Sequence, residues 1–160
     1  MRIHFAILSI ATLAFLSACA TTITQTQAVS ANTASDLRVV EVDTKTSIGT
    51  PADISARLKL AVEKLVASKN VSGKTNARLS VTITTFQVAD AASRFWGGAF
   101  VGSNKLSASV DVLDAESGAV IGKFDVKRDT NPGGYGMFFD QTQDIIDATA
   151  KGIFEGVFGK

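Results

Sequence analysis

The residues best suited to chemistry in this 160-residue chain are its only histidine, His4, and its only cysteine, Cys19. A catalytic thiol or a histidine base would need a folded pocket around it. Instead, His4 lies in an apolar run from Ile3 to Phe15 behind one early positive charge, and Cys19 follows that run after small residues. This pattern is typical of a secretory signal peptide and is too short to span a bilayer, which needs about 20 apolar residues. We therefore predict a signal peptide over residues 1–18.

The four residues Leu16–Cys19 (Leu-Ser-Ala-Cys) resemble the lipobox of bacterial lipoproteins. The resemblance implies cleavage before Cys19, diacylglycerol on its sulfur and acylation of the new amino group; the alternative is a buried free thiol. Each buried CH₂ contributes about 0.8 kcal/mol, so two or three acyl chains would hold the protein on a membrane. The resemblance also implies a sorting rule: Asp directly after the cysteine retains a lipoprotein at the inner membrane. Position 20 is Ala, so we expect the outer membrane, with the domain in the periplasm.

Cleavage before Cys19 would remove His4 and leave the mature chain without a histidine. That excludes Ser-His-Asp and Cys-His nucleophilic sites, and zinc sites built on Cys or His. The charges are balanced, with 16 Lys and Arg against 15 Asp and Glu, and no basic run occurs. Such a chain has no general attraction to nucleic acid. We expect a protein that is not an enzyme, uses no metal or cofactor and does not bind nucleic acid.

An apolar, glycine-rich stretch between two well-patterned strands is the main candidate for an interaction site. Surface loops are seldom this apolar unless they bury against something. One interpretation is contact with a partner protein, another copy of the chain or a membrane. The alternative is a loop folded back over the end of the core, where glycines allow tight turns. The candidate residues are Phe95, Trp96, Gly97, Gly98, Phe100 and Gly102.

Two other polar stretches have simpler explanations. Asp140, Asp144 and Asp147 could form a carboxylate pair for acid–base catalysis or a Ca²⁺ site. They also fall in the first two turns of a predicted helix, where the helix dipole stabilises negative charge, and we favour this interpretation. The stretch Asn131–Gly136 lacks the Lys-Ser/Thr pair of a phosphate-binding loop and is interpreted as a turn.

Small residues on the last predicted helix form a ridge at Ala148, Gly152 and Gly156. In lipid such a ridge would be a dimer seam. Because charged residues make this helix water-soluble, we predict instead that the ridge lets the helix pack closely on a sheet.

The remaining pattern predicts one α+β periplasmic domain over residues 36–160, preceded by a lipidated, flexible tether over residues 19–35. The tether is uncharged and has no sustained period from Ala20 to Ser35, which gives a random-coil span of roughly 20–25 Å. The domain's elements follow the order β-α-β-β-β-α. This order predicts a mostly antiparallel sheet of about four strands with two helices on one face.

Local signals predict details within these elements. In the first strand, Val40 and Val42 alternate with polar residues and should share the buried face. The first helix should begin with Thr50 as its cap and Pro51 in its first turn. The long strand from Ala77 to Val88 changes phase and needs a bulge near Thr84 and Thr85. The last helix should open at Asp140, with Gln143 as its capping partner.

The two strands on either side of Glu116–Gly118 predict a hairpin of fixed register. A three-residue loop would set Ala115 opposite Ala119 and give Gly118 a positive φ. The same register sets charged residues opposite each other on the wet face and apolar residues opposite each other in the core. The predicted pairs are Asp111 with Lys123, Lys105 with Asp129, Val110 with Phe124, and Ala108 with Val126.

The glycines Gly97, Gly98 and Gly102 before a strand, and the turn Asp114–Gly118 after it, resemble an uncharacterised family of Gram-negative envelope lipoproteins. The resemblance implies a fold and an envelope address and no reaction. We expect a non-enzymatic, membrane-anchored lipoprotein that binds or scaffolds another envelope component. One alternative is an oligomeric component of an export or envelope channel that inserts the segment around Trp96. The other is an enzyme without His or Cys chemistry.

Overall fold

The fold is a five-stranded sheet with helices packed on one of its faces. A computed structural model describes residues 21–47, 49–69, 73–88, 103–130 and 141–159. The elements, in chain order, are β1 (Thr21–Gln27), α1 (Ala31–Ser35), β2 (Leu37–Thr46), α2 (Ala52–Ala67), β3 (Thr75–Gln87), β4 (Asn104–Asp114), β5 (Val120–Thr130) and α3 (Gln141–Phe158).

The strands lie side by side in the order β1-β5-β4-β3-β2. Antiparallel pairing joins β1 to β5, β5 to β4 and β4 to β3. Among the described strands, only β2 pairs in parallel, with β3, and α2 makes the crossover that a parallel connection requires. The prediction of a mostly antiparallel α+β domain with two long helices on one face is therefore confirmed, with five strands in place of about four.

The core lies between the sheet and the two long helices. Alternate residues of β3, β4 and β5 are buried while their neighbours remain partly or fully exposed, as expected for a sheet with one covered face. One apolar stripe of α3 is buried as well. Among the described residues, the largest fully buried side chains include Phe124, Leu58, Leu79, Ile83, Leu106, Ile145, Ile146 and Ile153.

The helix α2 begins one residue later than predicted. Its N-cap is Pro51, which makes no side-chain capping hydrogen bond, and the helix runs for 16 residues. Its apolar face is buried, with Ile54, Leu58 and Val62 at helical spacing.

The prediction for the first strand of the domain is wrong at Val40. A β-bulge between Val39 and Glu41 shifts the register of β2 against β3. As a result Leu37, Val39 and Val42 are buried, whereas Val40 is 51% exposed. A bulge adds one residue and reverses the alternation, which a strict period of two does not anticipate.

The predicted flexible tether is also wrong over most of its length. Thr21–Gln27 forms the edge strand β1, and Ala31–Ser35 forms a short helix capped by the Ser30 side chain. Ile23 lies opposite Val126 of β5 and packs against the core. The segment is rich in β-branched residues, which favour strands. With a single apolar residue facing the core, its alternation was too weak to recognise in the sequence.

The predicted hairpin is confirmed in register and corrected at its tip. Asp111 faces Lys123 at 3.0 Å between carboxylate Oδ1 and Nζ, and Val110 faces Phe124. The closing pair is Asp114 with Ala119 instead of Ala115 with Ala119, because the register shifts by one residue next to the turn. The bulge predicted near Thr84 and Thr85 is confirmed as well.

The turn is held by Asp114. Its Oδ1 accepts hydrogen bonds from the Ser117 N–H at 2.7 Å and the Ser117 hydroxyl at 2.6 Å. These bonds lower the pKa of Asp114, since they stabilise the charged form. Gly118 has a φ of +72°, as predicted.

The small-residue ridge of α3 packs on β5, as predicted. A Cβ at Gly152 would lie 2.7 Å from side-chain carbons of Val126 and Thr21, and a Cβ at Gly156 would overlap the Phe124 ring. The backbone of α3 therefore approaches the sheet more closely than any larger residue would allow.

We predict that Gly118→Val destabilises the domain by about 1–2 kcal/mol, because a β-branched residue is strained at positive φ. The nearest non-neighbouring atom to a Cβ at this position is Arg78 Nη2 at 4.0 Å, so steric overlap contributes little. Urea denaturation measures the change. Gly118→Asn is the matched control and should lose less, since Asn tolerates this conformation; equal losses for both variants would contradict the backbone explanation.

Gly156→Ala should destabilise the domain by roughly 1–3 kcal/mol, because the new methyl group overlaps the Phe124 ring. Helix propensity alone predicts the opposite sign, a gain of about 1 kcal/mol. Thermal and urea unfolding of the variant therefore reveal which effect is larger. Ala56→Ser on the exposed face of α2 is the control, and a stabilised Gly156→Ala variant would show that the close approach is not real.

Candidate functional site

The predicted site residues lie outside the part of the chain that the structure describes. This applies to Cys19, to the apolar segment Phe95–Gly102, to the turn Asn131–Gly136 and to Asp140. The described residues on either side of these segments show where in the fold each segment is attached.

All of these attachment points lie at one end of the sheet. Thr21, which opens β1, is opposite Arg128, near the end of β5. Asn104, which opens β4, is opposite Thr130, and Gln87, which ends β3, is opposite Lys105. We call this end, marked by Thr21, Gln87, Asn104, Thr130 and Gln141, the anchor end. The segments 89–102 and 131–140 are both joined to the domain there, and Cys19 precedes Thr21 by two residues.

A hydrogen bond between two side-chain amides, one of them buried, joins two elements at the anchor end. Asn104 is fully buried, and its Nδ2 donates to Gln141 Oε1 at 2.6 Å. Burying an amide is unfavourable unless it is hydrogen-bonded, so this bond ties the start of β4 to the start of α3. Sequence reasoning missed Asn104, although it is in phase with the inward residues Leu106 and Ala108 and could have been found on that basis.

A second polar network joins α2 to α3 near the same end. Arg57 donates to Gln143 Oε1 from Nε at 3.1 Å and from Nη2 at 2.8 Å. Gln143 in turn donates to Asp147 Oδ1 at 2.8 Å, and Arg57 Nη1 lies 3.7 Å from Asp53 Oδ2. The side chain predicted as a capping partner therefore bridges two helices. This geometry holds α2 and α3 in a fixed relation.

Two of the three predicted acidic residues lie within the described part of α3. Asp144 and Asp147 are both exposed, and Asp147 accepts from Gln143. In the described ranges, His, Cys, Asp and Glu side chains form no group of three or more suited to a metal ion.

The start of β1 is attached to its neighbour by a side-chain contact as well as by the strand ladder. Arg128 Nη1 donates to Thr21 Oγ1 at 3.3 Å. At the other end of the strand, Gln25 Nε2 donates to the Gly156 carbonyl at 3.4 Å.

Within the described residues, no helix has both the length and the apolar character needed to cross a membrane.

The fold is similar to that of PelC from Paraburkholderia phytofirmans, a protein solved as a dodecamer. One PelC structure, of a variant, shares 13% identity, covers 88% of this chain and 100% of its own, and has a TM-score of 0.57. PelC in a second crystal form shares 13% identity, covers 84% and 97% respectively, and has a TM-score of 0.51. At these identities the likeness shows the fold alone.

A candidate lipoprotein from Caulobacter crescentus is a more distant neighbour. It shares 16% identity, covers 80% of this chain and 92% of its own, and has a TM-score of 0.42, which is too low to support an argument. No curated protein matches the sequence.

A family model describes the segment from the second half of β2 to just beyond β5. It matches residues 41–134, which is more than half of the chain, and its description is that of a domain of unknown function. The expectation of an uncharacterised family is confirmed, while the link to Gram-negative lipoproteins stays a prediction. The chain belongs to the family DUF4410, a domain of unknown function.

Proposed function

We propose that the chain is a non-enzymatic lipoprotein of the bacterial envelope, anchored in the outer membrane through Cys19, whose periplasmic domain binds or scaffolds another envelope component. The observation that carries this proposal is the start of β1 at Thr21, at the anchor end of the sheet. The lipid-bearing residue would directly precede a strand that is part of the fold.

The short connection sets how far the domain can stand from the lipid. Two residues span at most about 7 Å, so the anchor end would lie at the headgroup layer. A flexible tether over residues 19–35 would have allowed the domain to move away from the membrane. The direct connection favours a domain that stands on the bilayer with the anchor end facing it.

The location of the apolar segment supports the same orientation. Its residues Phe95, Trp96 and Phe100 are joined to the domain through Gln87 and Asn104, both at the anchor end. Tryptophan is favoured at the interface between membrane and water, because one part of its ring system is apolar and the other is polar. We propose that this segment contacts the membrane surface or an envelope partner lying against it.

Cys19→Ser should leave a precursor that is neither lipidated nor cleaved before residue 19 and that no longer fractionates with outer membranes. Mass spectrometry of the wild-type N-terminus should show Cys19 as the first residue with a lipid-sized mass increment. Ser17→Ala is the control, because a small residue there preserves the lipobox pattern. A wild-type chain with a free Cys19 thiol, or one that begins upstream of it, would refute the anchor.

A second candidate function is that of an oligomeric component of an export or envelope channel. The observation in its favour is the similarity of fold to PelC, which was solved as a dodecamer. A ring of anchored copies would gather many anchor ends on one patch of membrane.

We expect the wild-type protein, extracted in mild detergent, to have a mass several times that of its 16.8 kDa chain. Sedimentation or light scattering corrected for bound detergent measures this mass. A monomer over the whole micromolar range would leave the scaffold proposal standing and remove the oligomeric one.

A further inference from the structure

The two edges of the sheet differ in a way that suggests how copies assemble. β1 contains no charged residue and no proline, and its residues Thr22, Thr24 and Gln25 are exposed. Edge strands are commonly protected by charge, proline, bulges or a covering element, because their free N–H and C=O groups can pair with another strand. In β1 the irregularity lies only at the far end, between Gln25 and Gln27.

The opposite edge, β2, is charged and bulged at Val40, but it is regular beyond the bulge. Its residues Glu41–Thr46 pair in register with β3 on one side. Asp43 and Lys45 are exposed and face the uncovered side of the sheet. Among the described residues, no strand pairs with the other side of this stretch, and its Thr44 carbonyl accepts from Ser55 Oγ of α2 at 3.4 Å.

We propose that β1 of one copy pairs antiparallel with Val42–Thr46 of β2 in the next copy, which extends the sheet from copy to copy around a closed ring. This inference rests on the proposed anchoring, since it assumes that all copies stand on one membrane through Cys19. Contacts between two different edges are heterologous and generate rings when the rotation closes.

Strand direction supports this pairing over the others. β1 runs away from the anchor end, whereas β3 and its parallel neighbour β2 run toward it. An antiparallel pair of two β1 strands would place the two anchors at opposite ends. A two-fold axis normal to the membrane would keep both anchors on one side and make the two β1 strands parallel. Each N–H of β1 would then face the same N–H of the other copy, and no hydrogen bond would form. Only unlike edges bring antiparallel strands together with both anchors on one membrane.

The register of the sheet supplies an independent check. The paired residues form rows that cross the sheet of one copy from edge to edge. The row that starts at Thr24 of β1 continues through Asp125, Ser109 and Thr82 and ends at Lys45 of β2, so Thr24 and Lys45 are at the same height. Thr24 and Lys45 both face the uncovered side. One residue further, Gln25 is level with Thr44, and both face the helices. Copies standing at equal height would therefore match buried face to buried face, as a continuous sheet requires.

Charge complementarity points the same way. In the level row that contains Thr24, Asp125 lies on one side of β1, and Lys45 of the next copy would lie on the other side. In the row that contains Gln27, Lys123 of the same copy lies on one side of β1, and Asp43 of the next copy would lie on the other side. Two strand spacings separate these charges by about 10 Å at the backbone, and their long side chains narrow that gap. Both rows combine opposite signs. Within one copy Lys45 lies 3.8 Å from Asp43 and Lys123 lies 3.0 Å from Asp111, so the pairing would add a second opposite charge to each of these exposed contacts.

Disulfide cross-linking in membranes tests the pairing. Thr24→Cys combined with Lys45→Cys, in the otherwise complete lipidated chain, should give a ladder of dimers, trimers and higher species on mild oxidation, reversed by reductant. Each single variant should give no ladder. The control that combines Thr24→Cys with Asp144→Cys on the exposed face of α3 should also give none.

The outcomes separate this proposal from the anchoring on which it rests. A double variant that fractionates with membranes yet stays monomeric on oxidation would overturn the edge pairing alone. A dimer from Thr24→Cys by itself would overturn it in favour of a symmetric pair of β1 strands. Loss of the chain from the membrane fraction would refute the anchoring. As a second measurement, Thr24→Lys should lower the mass in detergent to that of one chain, because it sets Lys against Lys45 of the neighbour.

Discussion

Close packing of α3 on β5 is the constraint on which the rest of this structure depends. Gly152 and Gly156 allow the helix backbone to approach Val126 and Phe124, where a methyl group would not fit. At that distance the helix also covers the inner side of β1, so that Ile23 packs against the core and Gln25 bonds to the helix backbone. Without this approach, a seven-residue strand with one apolar residue would have little reason to stay on the sheet.

The ordering of β1 bears on the proposed anchoring. A tether would decouple the domain from a lipid on Cys19 and leave its orientation free. Under the proposed anchoring, a strand that starts two residues after Cys19 would set which end of the sheet faces the membrane, and the hydrogen bond between buried Asn104 and Gln141 braces that same end. The proposed functions both use this feature, because a scaffold and a ring each need copies that stand in one direction.

The two edges of the sheet follow from the same ordering. Adding β1 to β5 moves the open edge from a charged strand to one made of threonine, glutamine and a single isoleucine. Lys123, Lys127, Asp125 and Asp129 then lie one strand inside the edge, where they can attract an approaching copy without occupying the pairing groups. An uncharged edge strand, β1, with a charged strand, β5, beside it suits the proposed reversible pairing of edges between copies.

The sequence by itself determined the hairpin of β4 and β5, the bulge in β3, the apolar face of α3 and its glycine ridge. Each of these depends on neighbours close in the chain or on a strong alternation: a one-residue slip would bury the charges of Asp111 and Lys123. Local motifs also indicated an uncharacterised family, and the match to DUF4410 confirms that coarser statement. The sequence did not determine the bulge at Val40, because one phase of the strand buries Val39 and the other buries Val40 and Val42, so each phase leaves a valine exposed.

Only the tertiary structure decided that residues 21–35 form a strand and a short helix, and which residues meet at the anchor end. Thr21–Gln27 has little apolar surface of its own, so its conformation depends on the free edge of β5 and on the helix beside it, which are more than 90 residues away. The bracing contacts form only when β4, α2 and α3 meet: Asn104 bonds to Gln141, and Arg57 bonds to Gln143. Hydrogen bonds between distant side chains leave no period in the sequence. Local alternation reports which face a residue prefers, whereas the partner that covers that face is selected by the packing of the whole domain.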